Sequence, residues 1–313
     1  MKKKISFSTQ GQRADIGEYK INRMLPNRYA EAVGPFVFLD HALPIKHSPD
    51  EPIKKVNGSG AHPHRGIATL TYILNGEADH HDSKGHQERV RSGGAQWMKA
   101  GNGIIHDEVL NVDPQTTDLL THAFQFWINL PSKQKAEPPE YLPVQAGEVP
   151  QQMLPDKRGW IKVIVGEYEN LASKIPNYSK QFLYHIHVEA GKQFSIVTEK
   201  GLEYAVFLPL HNAVINDKEF SKGEFIEFDR NEGIIEISNL PDRQAGLPDR
   251  QAGNSDTGID VILFGGERYT EPIIAQGPFV MNSQTEIADA YRDFHAGKYG
   301  KINYSRDNGA DGK

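Results

Sequence analysis

The stretch Leu120-Thr121-His122-Ala123-Phe124-Gln125-Phe126-Trp127-Ile128-Asn129-Leu130 decides the fold. Leu120, His122, Phe124, Phe126 and Ile128 fall on one face. Thr121, Ala123, Gln125, Trp127 and Asn129 fall on the other, the two-residue period of an extended strand. Working outward, similar short runs recur between turn signals. Residues 35–40 precede a turn-like stretch from Pro44 to Gly60. Thr69-Leu70-Thr71-Tyr72-Ile73-Leu74 stops at Asn75-Gly76, a strong turn dipeptide. Gln96-Trp97-Met98 ends near Gly101-Asn102-Gly103. With Gly 29 and Pro 19 in 313 residues, turns are plentiful. The pattern predicts an all-β sandwich or barrel.

The periodicity pauses at residues 131–139, PSKQKAEPP, a polar, proline-rich run with the composition of an exposed linker. A second strand series follows at 161–165, 182–188, 204–208, 225–228, 234–237 and 261–264. Length allows about two domains. The expected division is 1–134, which carries the candidate ligands described below, and 140–300, ending in a helix. Ser283 is placed to cap that helix, Glu286 sits three residues on, and Ile287, Ala290, Tyr291 and Phe294 follow at helical spacing. The heptapeptide LPDRQAG occurs twice in succession, at 240–246 and 247–253. Two copies of seven residues make no solenoid, so the duplication reads as a tolerated loop insertion.

Composition narrows the chemistry. The formal net charge of −6 gives no global positive field, so direct nucleic-acid binding is not expected. No apolar run approaches the ~18 residues of a membrane span. The start Met1-Lys2-Lys3-Lys4 is basic, but no apolar segment follows it as in a signal peptide, so a cytoplasmic location is expected. There are 13 histidines and no cysteine. A tightly held metal must therefore use His, Asp or Glu.

Two histidine clusters stand out. In Ala61-His62-Pro63-His64-Arg65-Gly66, the i, i+2 spacing aims His62 and His64 at one point from an extended segment. In Gly103-Ile104-Ile105-His106-Asp107-Glu108, His106 and Glu108 share a face while Asp107 points away. Neighbouring strands would combine them into three imidazoles and one carboxylate. That set suits a six-coordinate Fe, Mn, Ni, Cu, Zn or Co ion with two positions open. The other histidines carry less. His80 and His81 lie in the polar run DHHDSKG and read as a solvated turn. His122 shares a face with Phe124 and Phe126, in the core or beside the ligands. His185 and His187 repeat the i, i+2 spacing, but no His-x-Glu follows them, and His211 sits near a turn. No nucleophilic triad, phosphate loop or dinucleotide fingerprint is present.

The chain resembles the pirin family. The resemblance rests on His62-Pro63-His64-Arg65-Gly66 with Thr69-Leu70-Thr71-Tyr72 and Asn75-Gly76, and on the run from Gln96-Trp97-Met98 through His106-Asp107-Glu108. Looser matches are GPFVFLDH at 34–41, FWINLP at 126–131 and GPFVMN at 277–282. The family implies two tandem cupin (jelly-roll) β-barrels with a short C-terminal helix. It also implies one metal, most often Fe(II), held in the first barrel by His62, His64, His106 and Glu108, and none in the second. One departure is Ala68, where many pirins carry Glu; a carboxylate near the cavity is expected to be missing.

Two functions follow from the resemblance. The first is a quercetin 2,3-dioxygenase that opens a flavonol-like aromatic substrate with O2, with Glu108 as the catalytic base. The alternative is a non-enzymatic, redox-sensing coregulator acting through a protein partner.

Overall fold

The computed structural model describes residues 1–239 and 258–305. The duplicated heptapeptide, 240–253, lies outside them. Two jelly-roll barrels are present, each with two antiparallel sheets. Among the described residues, no helix is long and apolar enough to cross a membrane.

In the first barrel the larger sheet includes, in spatial order, Glu140–Val144, Ala95–Lys99, Ile67–Asn75, Leu120–Asn129 and Phe36–Lys46. The smaller sheet runs His62–His64, Ile104–Asn111, Glu77–Asp82 and Gln87–Arg91. Both faces of Leu120–Asn129 are largely buried. Leu70, Tyr72, Phe124 and Phe126 lie on one face of the larger sheet. Thr71, Gln96, Gln125 and Trp127 lie on the other, as their cross-strand pairing requires.

In the second barrel the larger sheet runs Ile5–Gln10, Glu224–Phe228, Leu202–Phe207, Ile259–Glu267, Gln181–Val188, Gly159–Val165 and Gln151–Met153. Gln193–Thr198, Gly233–Ser238, Ala213–Ile215 and Lys218–Phe220 form the smaller one. Tyr184, Ile186, Val206, Ile235 and Leu263 are among the side chains that fill its core. Burying each aliphatic one contributes about 1.5–3 kcal/mol.

The described chain divides into two compact units that interleave in sequence. One gathers Asp15–Ile21, Val37–Glu148 and the chain from Thr270 on; the other gathers Met1–Ala14, Asn22–Phe36 and Val149–Tyr269. The exchange has a simple cause. Strand Ile5–Gln10 finds its hydrogen-bonding edge on Glu224–Phe228, more than 200 residues away. The helix Gln284–His295 is capped as expected, with Ser283 Oγ accepting from Glu286 N at 3.2 Å. It belongs with the first barrel, where Ile287 and Ala290 pack with Phe279, Met281, Tyr299 and Ile105. The expected linker is also partly built in. Ser132–Lys135 forms a helical turn, and buried Lys135 Nζ donates to Gly66 O, Asn129 Oδ1 and Val280 O.

Candidate metal centre

The smaller sheet of the first barrel assembles the candidate ligands. Strand pairing sets His106 opposite His62, and Ile104 opposite His64. On its other edge, Ile104–Asn111 sets Glu108 opposite His80 and His106 opposite Asp82. Directly opposed residues share a face, so His62, His64, His106, Glu108, His80 and Asp82 all project from one side.

Two glycines with positive φ flank these strands. Gly66 has φ +82, and a Cβ there would lie 1.9 Å from Val280 O. Gly103 has φ +127, and its Cβ would enter the Tyr299 ring. The segment from Thr270 on thus presses against both ligand strands. Arg65 reinforces this by pairing with Asp293 at 2.9 Å and accepting from Val280 N at its carbonyl.

Ligand-capable nitrogens of His62, His64 and His106 lie within 4.8 Å of one another. A second group with the same spacing joins His80, His106 and Glu108. His62 Nδ1 donates to Gly60 O at 2.7 Å, and His64 Nδ1 donates to Pro278 O at 3.1 Å. Both Nε2 atoms therefore carry lone pairs. His64 Nε2 is buried without a hydrogen-bond partner. His106 Nε2 meets His62 Nε2 at 3.0 Å, while its buried Nδ1 lies 3.2 Å from Glu108 Oε1 outside hydrogen-bond geometry. Converging lone pairs, an orphaned buried nitrogen and a carboxylate are what a cation would satisfy. The donor set therefore fits a transition metal.

The electrostatics agree. Burial, then the neighbouring His106 and His62, pushes the His64 imidazole well below its ordinary range. Burial likewise lowers His106 to about 4, against the pull of Glu108. Both rings are neutral near pH 7, the form that ligates metal. Burial alone would raise Glu108, but His106 and His80 outweigh it and hold the carboxyl well below the usual carboxylate range.

His80 is a correction to the sequence reading. It is fully buried on strand Glu77–Asp82, and His81 is buried beside it; neither lies in a solvated turn. His80 Nδ1 meets Glu108 Oε1 at 3.1 Å, and its Nε2 meets Asp82 Oδ2 at 3.4 Å. With both nitrogens engaged by carboxylates, His80 braces Glu108. Burial works against its protonation, but Asp82 and Glu108 together raise it. Gln96 Nε2 also donates to Glu108 Oε1, at 2.9 Å, and Gln125 Nε2 approaches Oε2 at 3.5 Å. Tyr141 donates to Gln96 Oε1 at 3.0 Å and stacks on His80 with centroids 4.2 Å apart.

Other expectations resolve differently. Asp107 does point away from the ligands, and it accepts from Gly58 N at 2.7 Å, anchoring the loop that leads to His62. His122 lies on the opposite face from Gln125 and Trp127, where its Nε2 meets His41 Nε2 at 2.7 Å. Ala68 is on that opposite face too, across from Lys99, whose ammonium pairs with Glu137 and Glu140. A carboxylate at position 68 would sit by this ion pair and outside the ligand cavity. In the second barrel, His185 and His187 share Asp260 Oδ1, at 3.1 and 2.9 Å, on the face away from that barrel's core.

Comparison with known proteins gives a consistent picture. Residues 18–128 match the family model Pirin, and 183–300 match that of the pirin C-terminal cupin domain. A candidate quercetin 2,3-dioxygenase of Pseudomonas aeruginosa is 32% identical, over 87% of this chain and 89% of its own length. The structure of quercetin 2,3-dioxygenase from Acinetobacter baumannii superposes with a TM-score of 0.82 at 27% identity, covering 97% of this chain and 100% of that one. A bacterial pirin from Escherichia coli, solved in complex with nickel(II), shares the fold. Its TM-score is 0.59 at 18% identity, over 84% of this chain and 99% of that one.

Proposed function

The chain belongs to the pirin family, and on that premise we propose that its first barrel holds one divalent transition metal, iron(II) in the first instance, and works as a quercetin 2,3-dioxygenase. His62, His64, His106 and Glu108 are the proposed ligands. The observation that carries this reading is His64, whose Nδ1 is tied to Pro278 O while its buried Nε2 has no hydrogen-bond partner beside His62 and His106. The names of the P. aeruginosa and A. baumannii relatives support the reaction class.

A metal held by these residues supplies Lewis acidity toward the oxygens of a flavonol and a redox centre for O2. The protein's own residues do the rest. His62 is exposed, so the ligand cluster opens to solvent and to substrate on that side. Trp127 packs edge-on to His64 at 4.9 Å and stacks on Phe38 at 4.2 Å, an apolar wall suited to an aromatic ring system. Glu108 is the proposed base toward the flavonol hydroxyl, because a carboxylate ligand can loosen and accept a proton. Its Oε1 is occupied by Gln96 and His80, so Oε2, with the longer contact to Gln125, is the accepting atom. By holding Oε1, Gln96 and His80 keep the carboxylate oriented as the proton arrives.

The test is quercetin-dependent O2 uptake by metal-replete protein at an oxygen electrode. Saturable uptake, lost in His62→Ala and Glu108→Ala, is expected. No uptake by metal-replete wild type sinks the enzyme reading and turns attention to partners that distinguish ferrous from ferric protein.

A further inference from the structure

The second barrel has a cavity of its own that the first barrel's chemistry does not use. It measures about 530 Å³ and is lined by Tyr168, Phe182, Tyr184, Ile196, Leu202 and Tyr204, with Glu167, Glu169, Lys180 and Glu199 among its polar groups. Its walls come from both sheets of this barrel: Gln181–Val188 and Leu202–Phe207 from the larger, Gln193–Thr198 from the smaller. Barrel mouths are a common place for small-molecule sites, and this volume lies within the usual range for one.

The lining has two features that together select a ligand class. The first is aromatic. Phe182 contacts Tyr184 and Tyr204 at centroid distances of 5.3 and 4.8 Å, and Tyr168 meets Tyr184 edge-on at 5.7 Å. Their hydroxyls are held: Tyr184 donates to Glu167 O, and Tyr204 accepts from Glu199 N at 3.0 Å. The rings are therefore fixed in place before any ligand arrives. The second feature is charge. Among the described lining residues, Glu167, Glu169 and Glu199 are set against one cation, Lys180, which pairs with Glu199. Burial, then Tyr204 and Tyr168, then Glu199 and Glu167 all raise the Tyr184 phenol. Anions are disfavoured here, while ring faces and carboxylates both attract a cation. The barrel already uses this chemistry internally, because Lys3 Nζ sits 5.0 Å from the Tyr204 ring centroid. A second cation would be repelled from that ring and directed to Tyr168 and Tyr184.

We propose that this cavity binds a small organic cation, an ammonium group carrying apolar substituents, between Tyr168, Tyr184 and the carboxylates of Glu167 and Glu199. The site is independent of the metal centre and stands whether or not the chain is a dioxygenase.

The experiment is isothermal titration of the full chain with choline, and in parallel with 3,3-dimethylbutan-1-ol, its neutral isostere. The expected result is saturable choline binding, with the isostere about tenfold weaker or worse. Glu199→Gln and Tyr168→Leu should each weaken choline by about tenfold while leaving the circular dichroism spectrum unchanged. Equal binding of the isostere would overturn the assignment to a cation. Choline binding untouched by both folded variants would overturn the location, and no saturable binding to wild type would overturn the site altogether.

Discussion

Replacing His80 with Phe isolates the contribution of one buried side chain to the metal centre. Phe fills nearly the same space and keeps the stack on Tyr141, now at 4.2 Å and 11° between planes. It removes both nitrogens, and with them the 3.1 Å contact to Glu108 Oε1 and the 3.4 Å contact to Asp82 Oδ2. A hydrogen bond to a charged group contributes about 1.5–3 kcal/mol net. Glu108 retains Gln96 on the same oxygen, at 2.9 Å, so its orientation loosens without being lost. At about 1.4 kcal/mol per factor of ten, metal affinity should fall roughly 10–100-fold, the range found for partners that orient metal ligands. Cobalt(II), competed against a chelator and followed by its visible absorption, reads this directly and needs no turnover. His80→Asn is the rescue variant, because its amide nitrogen can stand in for Nδ1 toward Glu108. It should recover most of the affinity. Wild-type cobalt binding in His80→Phe would refute the bracing role, and so would equal losses in the Phe and Asn variants.

Three further outcomes are expected. Gly66→Ala should destabilise the fold by about 2–4 kcal/mol in urea unfolding, because it combines a left-handed backbone with a Cβ 1.9 Å from Val280 O. Gly17→Ala, at φ +57 with nothing within 4 Å, should cost only about 1–2 kcal/mol, and equal losses would count against a steric role for Gly66. In metal-free protein, His41 is held at about 3 by burial and then by His122. Between pH 6.5 and that value the unfolded chain takes up a proton that the folded ring refuses. Its contribution to stability is therefore lost as pH falls, by about 1.4 kcal/mol per unit, and metal-free His41→Phe should lose stability less steeply. Identical slopes in urea unfolding from pH 6.5 to 4.5 would contradict this. Free metal at 100 times its dissociation constant should stabilise wild type by about 2.7 kcal/mol. Thermal unfolding of His64→Ala should not respond to the same addition; an undiminished shift would remove His64 from the ligand set.

The sequence carries the local part of this architecture clearly. His62 and His64, and His106 and Glu108, are each two residues apart on extended backbone, so their common face follows from strand geometry. The helix start at Ser283 and Glu286 is equally local. What it hides depends on long-range pairing or on the polarity of a cavity wall. Nothing near Ile5–Gln10 announces a partner at Glu224–Phe228, so the compact units look contiguous in sequence when they are interleaved. Glu77–Asp82 reads EADHHD and resembles a turn by composition, yet all six residues are buried. A strand whose neighbours are charged ligands can be polar and still lie inside a barrel. Its position between the Asn75-Gly76 turn and the Lys84-Gly85 turn was the available signal. The surroundings of position 68 are hidden for a related reason. Proximity in sequence to His64 and Arg65 suggests the cavity, but strand alternation assigns Ala68 to the face that holds Lys99.

One metal among His62, His64, His106 and Glu108 underlies the proposed chemistry of the first barrel. Elemental analysis of protein purified without chelators or immobilised nickel tests it most directly, with the His62→Ala, His64→Ala double variant prepared in parallel. Wild type should carry about one equivalent of a divalent transition metal per chain and the variant close to none, with matching circular dichroism spectra. Metal-free wild type that takes up no added iron, or a double variant that keeps its full equivalent, would contradict it.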